Sequence, residues 1–427
     1  MSEQDIKLSL DAYKGTRDFY PADMAVQNYL FSVMRRVVES YGYAEYAASI
    51  IEETALYRAK SGEEIVNEQT YSFIDRGGRD VTIRPEMTPT VARMVAKKRK
   101  ELTFPIRWYS IPNLLRYERP QRGRLREHWQ LNVDFFGSTG FEADIELIAM
   151  AHDILSEFGA TQDMFEIRIN DRQITNTLLR DTLLCTDEES HAVMKLIDRK
   201  EKIPAETFQS GVEAILGADR TGTLLERLHS SEIPSEGSLG KVIDALKRQG
   251  VTNVVYAPSL MRGFDYYTGT VFEVFDTNEA NNRSIFGGGR YNDLVGLFDV
   301  EPVGGIGFGL GDVTIRDFLD THNLLPADLF QAADLYIAVM GAEQHDYAFA
   351  LGREIRKVGI RTIVDAGDRK LGSQIKTAER AGATHLIVVG GDEVAAEVFK
   401  VKHLASGDET EVAREDLRSH LGSLLRP

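Results

Sequence analysis

The chain of 427 residues is long enough for two or three domains, each with a hydrophobic core of its own. A hydrophobic fraction of 43% and a charged fraction of 27% are typical of a globular protein, while the net charge of -16 argues against a protein that coats nucleic acid nonspecifically. The start MSEQDIKLSL lacks a signal-peptide pattern, and no run of about eighteen apolar residues occurs. We therefore expect a cytoplasmic protein with no membrane or DNA partner. The single cysteine, Cys185, excludes an intramolecular disulfide and any site built from several cysteines.

The first part of the chain predicts a helix, a strand and a hairpin. Apolar residues recur at helical spacing from Val26 to Tyr41, and Gly42 ends that pattern. Ala44 to Ile51 predicts a buried strand. Tyr71 to Ile74 and Val81 to Arg84 are short alternating runs on either side of turn residues, so they predict a hairpin.

The segment LRYERPQRGRLREHWQLNVDFFG, which begins at Leu115, predicts a strand-loop-strand hairpin that is rich in arginine. Arg116 and Glu118 are two apart on its first strand, so both side chains should project from the same face. Binding of polyphosphate or nucleic acid would neutralise the crowded cations of the loop, although their charges could also be merely solvated. These loop cations are Arg119, Arg122, Arg124 and Arg126.

The remaining chain predicts a helical region and then an α/β domain. From about Asn170 to Gly250, Leu and Ile recur at spacings of three and four, and strands resume near Val254. A helix from Val313 to Leu319 is followed by a linker containing Pro326. Antiparallel strands with helices packed outside them indicate an α+β core. The last part predicts a βαβαβ unit with two further strands, in the order strand Leu335–Val339, helix Tyr347–Val358, strand Thr362–Val364, helix Leu371–Ala381, strand Leu386–Val389, strand Phe399–Lys402 and strand Glu411–Val412.

Two further segments complete a resemblance to a known family. Met261 to Glu273, MRGFDYYTGTVFE, closely resembles the histidine-specific segment of histidyl-tRNA synthetases, and Gly304 to Asp312 has the glycine-rich shape of the third signature motif of class II synthetases. The resemblance implies an antiparallel-sheet catalytic core at residues 1–320 with a helical insertion at about 170–250. It also implies a linker at 321–333, an anticodon-binding α/β domain at 334–427 and a homodimer.

The resemblance further implies ATP-dependent activation of L-histidine and its transfer to the 3′ end of tRNA(His), with Mg²⁺ as cofactor. Arg262 and Arg116 would be the catalytic residues on opposite sides of the α-phosphate, where negative charge builds up. Arg116, Glu118 and Arg124 would bind ATP, and Arg122 would contact tRNA. No metal ligands are assigned. A salt bridge of Arg262 within its own segment is the alternative reading of that residue.

Selection of histidine requires partners for both imidazole nitrogens, since a site that pairs them penalises an analogue that leaves them unpaired. Many family members have a glutamate where this chain has Asp134. The tyrosines could instead be core aromatics. The resemblance assigns histidine binding to Glu86, Thr88, Gln130, Asp134, Arg262, Tyr266, Tyr267 and Tyr291.

The third motif departs from the family pattern. That motif usually continues Gly-Leu-Glu-Arg, so alignment on Gly309-Leu310 places Gly311 at the glutamate and Asp312 at the arginine that grips the γ-phosphate. A carboxylate there would repel the phosphate unless magnesium bridges them. The groups that could compensate are Arg124, Arg119, a metal ion and Arg316.

Two other functions fit parts of the chain. A noncatalytic paralogue that binds histidine or tRNA and regulates another protein is favoured by Asp312, but the ATP-site residues and the terminal domain oppose it. A plain nucleotide-binding α/β protein explains only the stretch from Leu335 onward. Anticodon contacts could come from basic residues of the last domain, which could equally be only solvated: Arg353, Arg356, Arg361, Arg369, Lys370 and Lys376.

Overall fold

A computed structural model describes residues 9–58, 69–200, 203–233, 237–261, 266–281 and 283–425. The chain forms two compact units, of which one contains residues up to 18 and residues 30–325, and the other contains residues 19–29 and 326 onward. Within the described residues no helix combines the length and the apolar character needed to cross a membrane.

The described strands and helices are numbered in chain order. The strands are β1 (Ala44–Glu45), β2 (Ile51–Glu53), β3 (Tyr71–Ile74), β4 (Asp80–Ile83), β5 (Ile106–Ser110), β6 (Asn113–Leu115), β7 (Glu127–Phe136), β8 (Phe165–Asp171), β9 (Val254–Tyr256), β10 (Thr270–Asp276), β11 (Ser284–Arg290), β12 (Gly305–Gly311), β13 (Leu335–Val339), β14 (Thr362–Val364), β15 (His385–Val389), β16 (Val398–His403) and β17 (Glu409–Ala413). The helices are α1 (Pro21–Ser40), α2 (Thr54–Arg58), α3 (Thr88–Lys97), α4 (Glu142–Glu157), α5 (Arg172–Thr177), α6 (Asp187–Arg199), α7 (Ala205–Leu216), α8 (Ala218–His229), α9 (Leu239–Arg248), α10 (Asp312–Thr321), α11 (His345–Arg356), α12 (Leu371–Arg380), α13 (Gly391–Ala396) and α14 (Leu417–Leu425).

The first unit is organised around a nine-stranded sheet in the order β1-β5-β7-β12-β11-β10-β8-β9, with β6 paired to β7. The pairs from β5 through β8 are antiparallel, whereas β1 with β5 and β8 with β9 are parallel. The predicted antiparallel core is therefore confirmed. The central strands β7 and β12 place Asp134 opposite Gly307 and Gln130 opposite Gly311, which sets the geometry of the site described below.

The prediction of one buried strand from Ala44 to Ile51 is wrong. Ala44 and Glu45 pair with β5 of the main sheet, whereas Ile51 pairs with Ile83 of a separate three-stranded sheet in the order β2-β4-β3. Ala44, Glu45 and Ile51 are all exposed. The chain crosses from one sheet to another here, so no single face could stay buried along the segment.

Helix α3 follows the β4 strand and carries the start of the site. Pro89 lies in its first turn, where a missing N–H costs nothing because that N–H has no helical partner. Val91, Ala92 and Val95 are completely buried against the main core, so the helix is fixed by packing. The segment just before it, Glu86-Met87-Thr88, is thereby held in one place.

The helical region between β8 and β9 has a core of its own. Leu179, Val193, Phe208, Val212 and Leu224 are buried together, which is the outcome that apolar spacings of three and four predict. A π-helical turn at Leu178–Thr182, which the sequence pattern does not predict, connects α5 to this core.

The second unit contains a five-stranded sheet in the order β14-β13-β15-β16-β17. Strands β14, β13 and β15 are parallel, and β16 and β17 continue antiparallel. The predicted βαβαβ unit is present, with element ends within about two residues of those predicted. All five residues of β13 are buried, because helices cover both faces of a parallel sheet.

Candidate active site

A pocket lies on the face of the main sheet at β7 and β12. Six of the eight predicted histidine-binding residues line it, together with the predicted catalytic residue Arg116. Asp134 lies beside it, as described below. Arg262 lies outside the described residues. The lining residues are Glu86, Thr88, Arg116, Gln130, Asn132, Tyr266, Tyr267, Gly287, Tyr291, Gly307, Phe308 and Gly309.

Glycines of β12 make room for the pocket. A Cβ on Gly307 would lie 2.5 Å from the Val133 carbonyl oxygen and 2.7 Å from the Tyr291 hydroxyl. A Cβ on Gly309 would lie 2.6 Å from the Gln130 side chain. At Gly307 the clash is with backbone, so β12 can approach β7 this closely only without a side chain there. At Gly309 the clash is with the end of the flexible Gln130 side chain, which would have to move.

Asp134 is buried next to the pocket, 3% exposed, and its Oδ1 accepts a hydrogen bond from the Tyr291 hydroxyl. Its Oδ2 is also buried and has no hydrogen-bond partner among the residues that the structure describes. Burial raises the pKa of Asp134 to about 7, and the hydroxyls of Tyr291 and Tyr46 oppose that rise by stabilising the carboxylate. The Tyr46 hydroxyl is also buried and makes no full hydrogen bond to the described residues. A buried carboxylate oxygen without a donor is suited to receive an N–H from a ligand.

Three tyrosines form an aromatic wall. The ring centroids of Tyr266 and Tyr267 are 4.9 Å apart, and those of Tyr266 and Tyr291 are 5.9 Å apart with nearly perpendicular planes. The Tyr266 hydroxyl donates to Glu86 Oε2 at 3.0 Å. Burial raises the pKa of Tyr266 and of Tyr291 well above the usual value, so both hydroxyls keep their protons and act as donors. The tyrosines are core aromatics and pocket walls at once.

The arginine hairpin places only one of its arginines in the pocket. Arg116 follows β6 and its Nε donates to the Pro85 carbonyl at 2.8 Å, which fixes the guanidinium beside Glu86. Arg124 is 59% exposed and its Nη1 lies 3.7 Å from Glu118 Oε2. Arg122 donates to Asp317 Oδ1 at 2.9 Å. Glu118, Arg124 and Arg122 are not among the residues that line the pocket.

The sequence pattern did not predict a role for three residues near the pocket. Asn132 lines the pocket, and its spacing of two from Gln130 on one strand was a signal that could have found it. His128 lies two positions before Gln130, and Arg17 forms an ion pair with Asp312. No local pattern links Arg17 to Asp312, because 295 positions separate them.

In the second unit three of the six basic candidates hold the fold. Arg356 donates to the Thr362 carbonyl, Arg361 pairs with Asp334, and Arg369 pairs with Asp365. The other three, Arg353, Lys370 and Lys376, are exposed.

Comparisons with known proteins identify the family of the chain. The histidyl-tRNA synthetase family model matches residues 15–312, and the anticodon binding domain model matches residues 334–424. The histidine–tRNA ligase of Leptospira biflexa serovar Patoc is 45% identical over 426 residues, covering 96% of both chains. The histidine–tRNA ligase of Opitutus terrae is 38% identical, covering 95% of this chain and 96% of its own. The crystal structure of apo histidyl-tRNA synthetase from S. aureus matches with a TM-score of 0.76 at 26% identity, covering 97% of this chain and 100% of that chain. The chain therefore belongs to the histidyl-tRNA synthetase family.

Proposed function

We propose that the protein is a histidine–tRNA ligase, which activates L-histidine with ATP and transfers the histidyl group to the 3′ end of tRNA(His). The observation that carries the proposal is the single pocket that combines Glu86, Arg116 and an aromatic wall beside the buried Asp134. A carboxylate for an ammonium, a guanidinium for a phosphate and an acceptor for an imidazole N–H are the three groups that this reaction requires.

In the first step a carboxylate oxygen of histidine attacks the α-phosphorus of ATP, and the bond to pyrophosphate breaks. Negative charge builds on the phosphate oxygens, and fixed guanidinium groups stabilise it. We assign this role to Arg116 and Arg262. The nucleophile belongs to the substrate, so the protein's contribution is to position both reactants and to stabilise charge.

For the substrate ammonium we propose Glu86, Thr88 and Gln130, and for the imidazole ring Asp134, Tyr267 and Tyr291. A ring N–H donated to Asp134 would favour its carboxylate form and satisfy the oxygen that otherwise lacks a donor. An amino acid without such an N–H would leave that buried oxygen unpaired, and its binding would be penalised.

We propose that ATP is held by Arg116, Glu118 and Arg124, and that magnesium arrives with the ATP phosphates. Among the described residues no group of three or more His, Cys, Asp or Glu side chains could hold a metal. Magnesium usually keeps several waters and binds substrate phosphates with only one or two carboxylates. No step is assigned to the ion.

We further propose a cytoplasmic homodimer with the catalytic domain at 1–320, a linker at 321–333 and the anticodon-binding domain at 334–427. Support for the dimer comes from exposed apolar residues of the three-stranded sheet: Ile51 is 41% exposed, Phe73 is 45% exposed and Ile74 is 66% exposed. Exposed apolar groups in one small sheet are typical of a surface that another chain covers.

Arg122 is our candidate for contact with the tRNA acceptor end.

Histidine-dependent exchange of labelled pyrophosphate into ATP tests the reaction. Arg262→Ala should lower the exchange rate roughly 100- to 1000-fold, because a charge-stabilising donor is lost at the transition state. Arg262→Lys keeps the charge but lacks the planar guanidinium, so its exchange rate should lie between those of wild type and Arg262→Ala.

The competing function is a histidine-binding regulator. Wild-type protein that binds histidine but shows no exchange would favour that regulator. An Arg262→Ala variant as active as wild type would remove Arg262 from the chemistry.

A further inference from the structure

Asp312 is a buried carboxylate whose two oxygens are both engaged. Its side chain is 1% exposed, Oδ1 accepts a hydrogen bond from the Trp129 backbone N–H at 2.9 Å, and Oδ2 lies 2.7 Å from Arg17 Nη2. A buried carboxylate is costly unless it is paired and hydrogen-bonded. Arg17 therefore compensates the charge of Asp312, and Asp312 in turn fixes the position of the guanidinium.

The short segment that contains Arg17 is bound to the arginine hairpin. The Gly15 carbonyl accepts hydrogen bonds from the backbone N–H groups of Arg126 and Glu127 at 2.8 and 3.3 Å. Gly15 has φ +87, and a Cβ there would lie 2.7 Å from Arg126 Cγ. Only glycine tolerates this conformation and this approach. Backbone hydrogen bonds from the hairpin to Gly15 and the ion pair with Asp312 together fix the position of Arg17.

Arg17 lies at the Arg116 end of the pocket. His128, Gln130 and Asn132 alternate along β7, so they share one face of the sheet, and Gln130 and Asn132 line the pocket. Burial and the guanidinium charges of Arg116 and Arg17 lower the pKa of His128 to about 3. Both arginines therefore act on the same imidazole, which is neutral near pH 7. The pairing of β12 with β7 supports the same location, because Gly311 pairs with Gln130 and Asp312 directly follows Gly311 in the chain.

The charges at this end of the pocket favour an anionic ligand. The guanidinium groups of Arg17 and Arg116 both act on the neutral His128 imidazole. Asp312 is paired with Arg17, and Glu86, beside Arg116, accepts a hydrogen bond from the Tyr266 hydroxyl. The Arg17 side chain is 25% exposed, whereas Asp312 is enclosed, so the cation rather than the carboxylate is accessible to a ligand. Guanidinium groups bind phosphate oxygens through paired N–H donors.

We propose that Arg17 binds the triphosphate of ATP beyond the α-phosphate, and that Asp312 is a positioning residue that holds the Arg17 guanidinium in place. This assignment rests on the proposed function, because it takes ATP as the nucleotide bound next to Arg116. It also gives Asp312 a role: the carboxylate does not face the phosphate but anchors the cation that does.

Kinetics of the full-length protein test the role of Arg17. In histidine-dependent pyrophosphate exchange, Arg17→Gln should raise the KM for ATP and for pyrophosphate roughly 10- to 100-fold, because a charge-assisted hydrogen bond is lost. The KM for histidine should not change. Arg17→Lys should recover part of the loss. Asp312→Asn keeps an acceptor for Trp129 N–H but weakens the hold on Arg17, so its KM for ATP should rise less.

Arg180→Gln is the matched control, since Arg180 forms an exposed 2.8 Å ion pair with Asp187 in the helical region away from the pocket. The Arg180→Gln variant should have the wild-type KM values for ATP, pyrophosphate and histidine. An Arg17→Gln variant with the wild-type KM for ATP would overturn the proposal. So would equal losses for ATP and histidine accompanied by a lower urea midpoint, since that result would mean that the pair only anchors the N-terminal segment.

Calorimetric titration with ATP in the absence of histidine separates this proposal from the proposed function. Wild type that binds ATP but shows no exchange would contradict the ligase function. Arg17 would still be judged by the Kd for ATP, which should be weaker in Arg17→Gln than in wild type. An unchanged Kd would overturn the role of Arg17 alone.

Discussion

At the scale of single residues, Asp134 combines deep burial with a proposed role that needs its charge. A carboxylate with a pKa of about 7 is close to half protonated at neutral pH, so a donor that arrives with the substrate can shift it to the ionised form. The burial that we propose makes Asp134 selective for an N–H donor also destabilises the protein when the carboxylate ionises without a ligand.

Asp134→Asn should therefore change the pH dependence of stability in the absence of ligand. The pKa of Asp134 is about 7 in the folded protein and near 3.8 in the unfolded chain. Its contribution to the free energy of unfolding is therefore fully present below pH 3.8 and is lost as the pH rises through about 7. The asparagine variant lacks that loss. Its free energy of unfolding relative to wild type should increase by on the order of a few kcal/mol between about pH 5 and pH 8.

Urea unfolding of both proteins across that pH range measures the difference. A difference that stays constant with pH would show that Asp134 does not titrate as a buried acid. Asp346→Asn, on the exposed first turn of α11, serves as the matched control.

At the scale of elements, the pocket depends on how closely β12 approaches β7. Gly309 and Gly311 are two apart on β12, but they differ in the space around them. A Cβ on Gly309 would lie 2.6 Å from the Gln130 amide nitrogen, whereas the nearest atom to a Cβ on Gly311 is Thr314 Oγ1 at an ordinary 3.5 Å. Gly309 is therefore part of the site, whereas Gly311 is not.

Gly309→Ala should displace the Gln130 side chain and raise the KM for histidine roughly 10-fold, or about 1.4 kcal/mol, which lies within the usual cost of overpacking. The fold should persist, because the clashing atoms are the end of a flexible side chain. Gly311→Ala should leave exchange kinetics near wild type. Equal kinetics for the two variants would mean that Gln130 does not contact the substrate.

Elements that depend on a pattern of neighbouring residues could be predicted from the sequence. The buried helices and the βαβαβ unit follow from the spacing of apolar residues. Most residues of the pocket were predicted from the family resemblance. The segment from Ala44 to Ile51 was misinterpreted because a change of sheet has no local pattern. The pair of Arg17 and Asp312 is a long-range contact, so the composition of the third motif alone suggested a defect that the tertiary structure compensates.

At the scale of the whole molecule, we assign catalysis and anticodon recognition to different units. The net charge of -16 opposes nonspecific binding of RNA, so contacts should come from local groups of cations. In the second unit Lys370 and Lys376 lie at the start and in the middle of α12 and are exposed.

The double variant Lys370→Glu/Lys376→Glu should raise the KM for tRNA in aminoacylation by roughly 10-fold or more, since phosphate contacts are replaced by repulsion. Histidine-dependent pyrophosphate exchange needs no tRNA and should be unchanged. Lys400→Glu is the control, because Lys400 is an exposed lysine that lies 3.7 Å from Glu411 on β17. An unchanged KM for tRNA in the double variant would move the anticodon contacts elsewhere.

The most direct test of the central claim is pyrophosphate exchange by the wild-type full-length protein with different amino acids. If one pocket holds an imidazole next to the α-phosphate of ATP, L-histidine should support exchange, and asparagine, glutamine and phenylalanine should not. Exchange supported equally by glutamine, or binding of histidine without exchange, would contradict the claim.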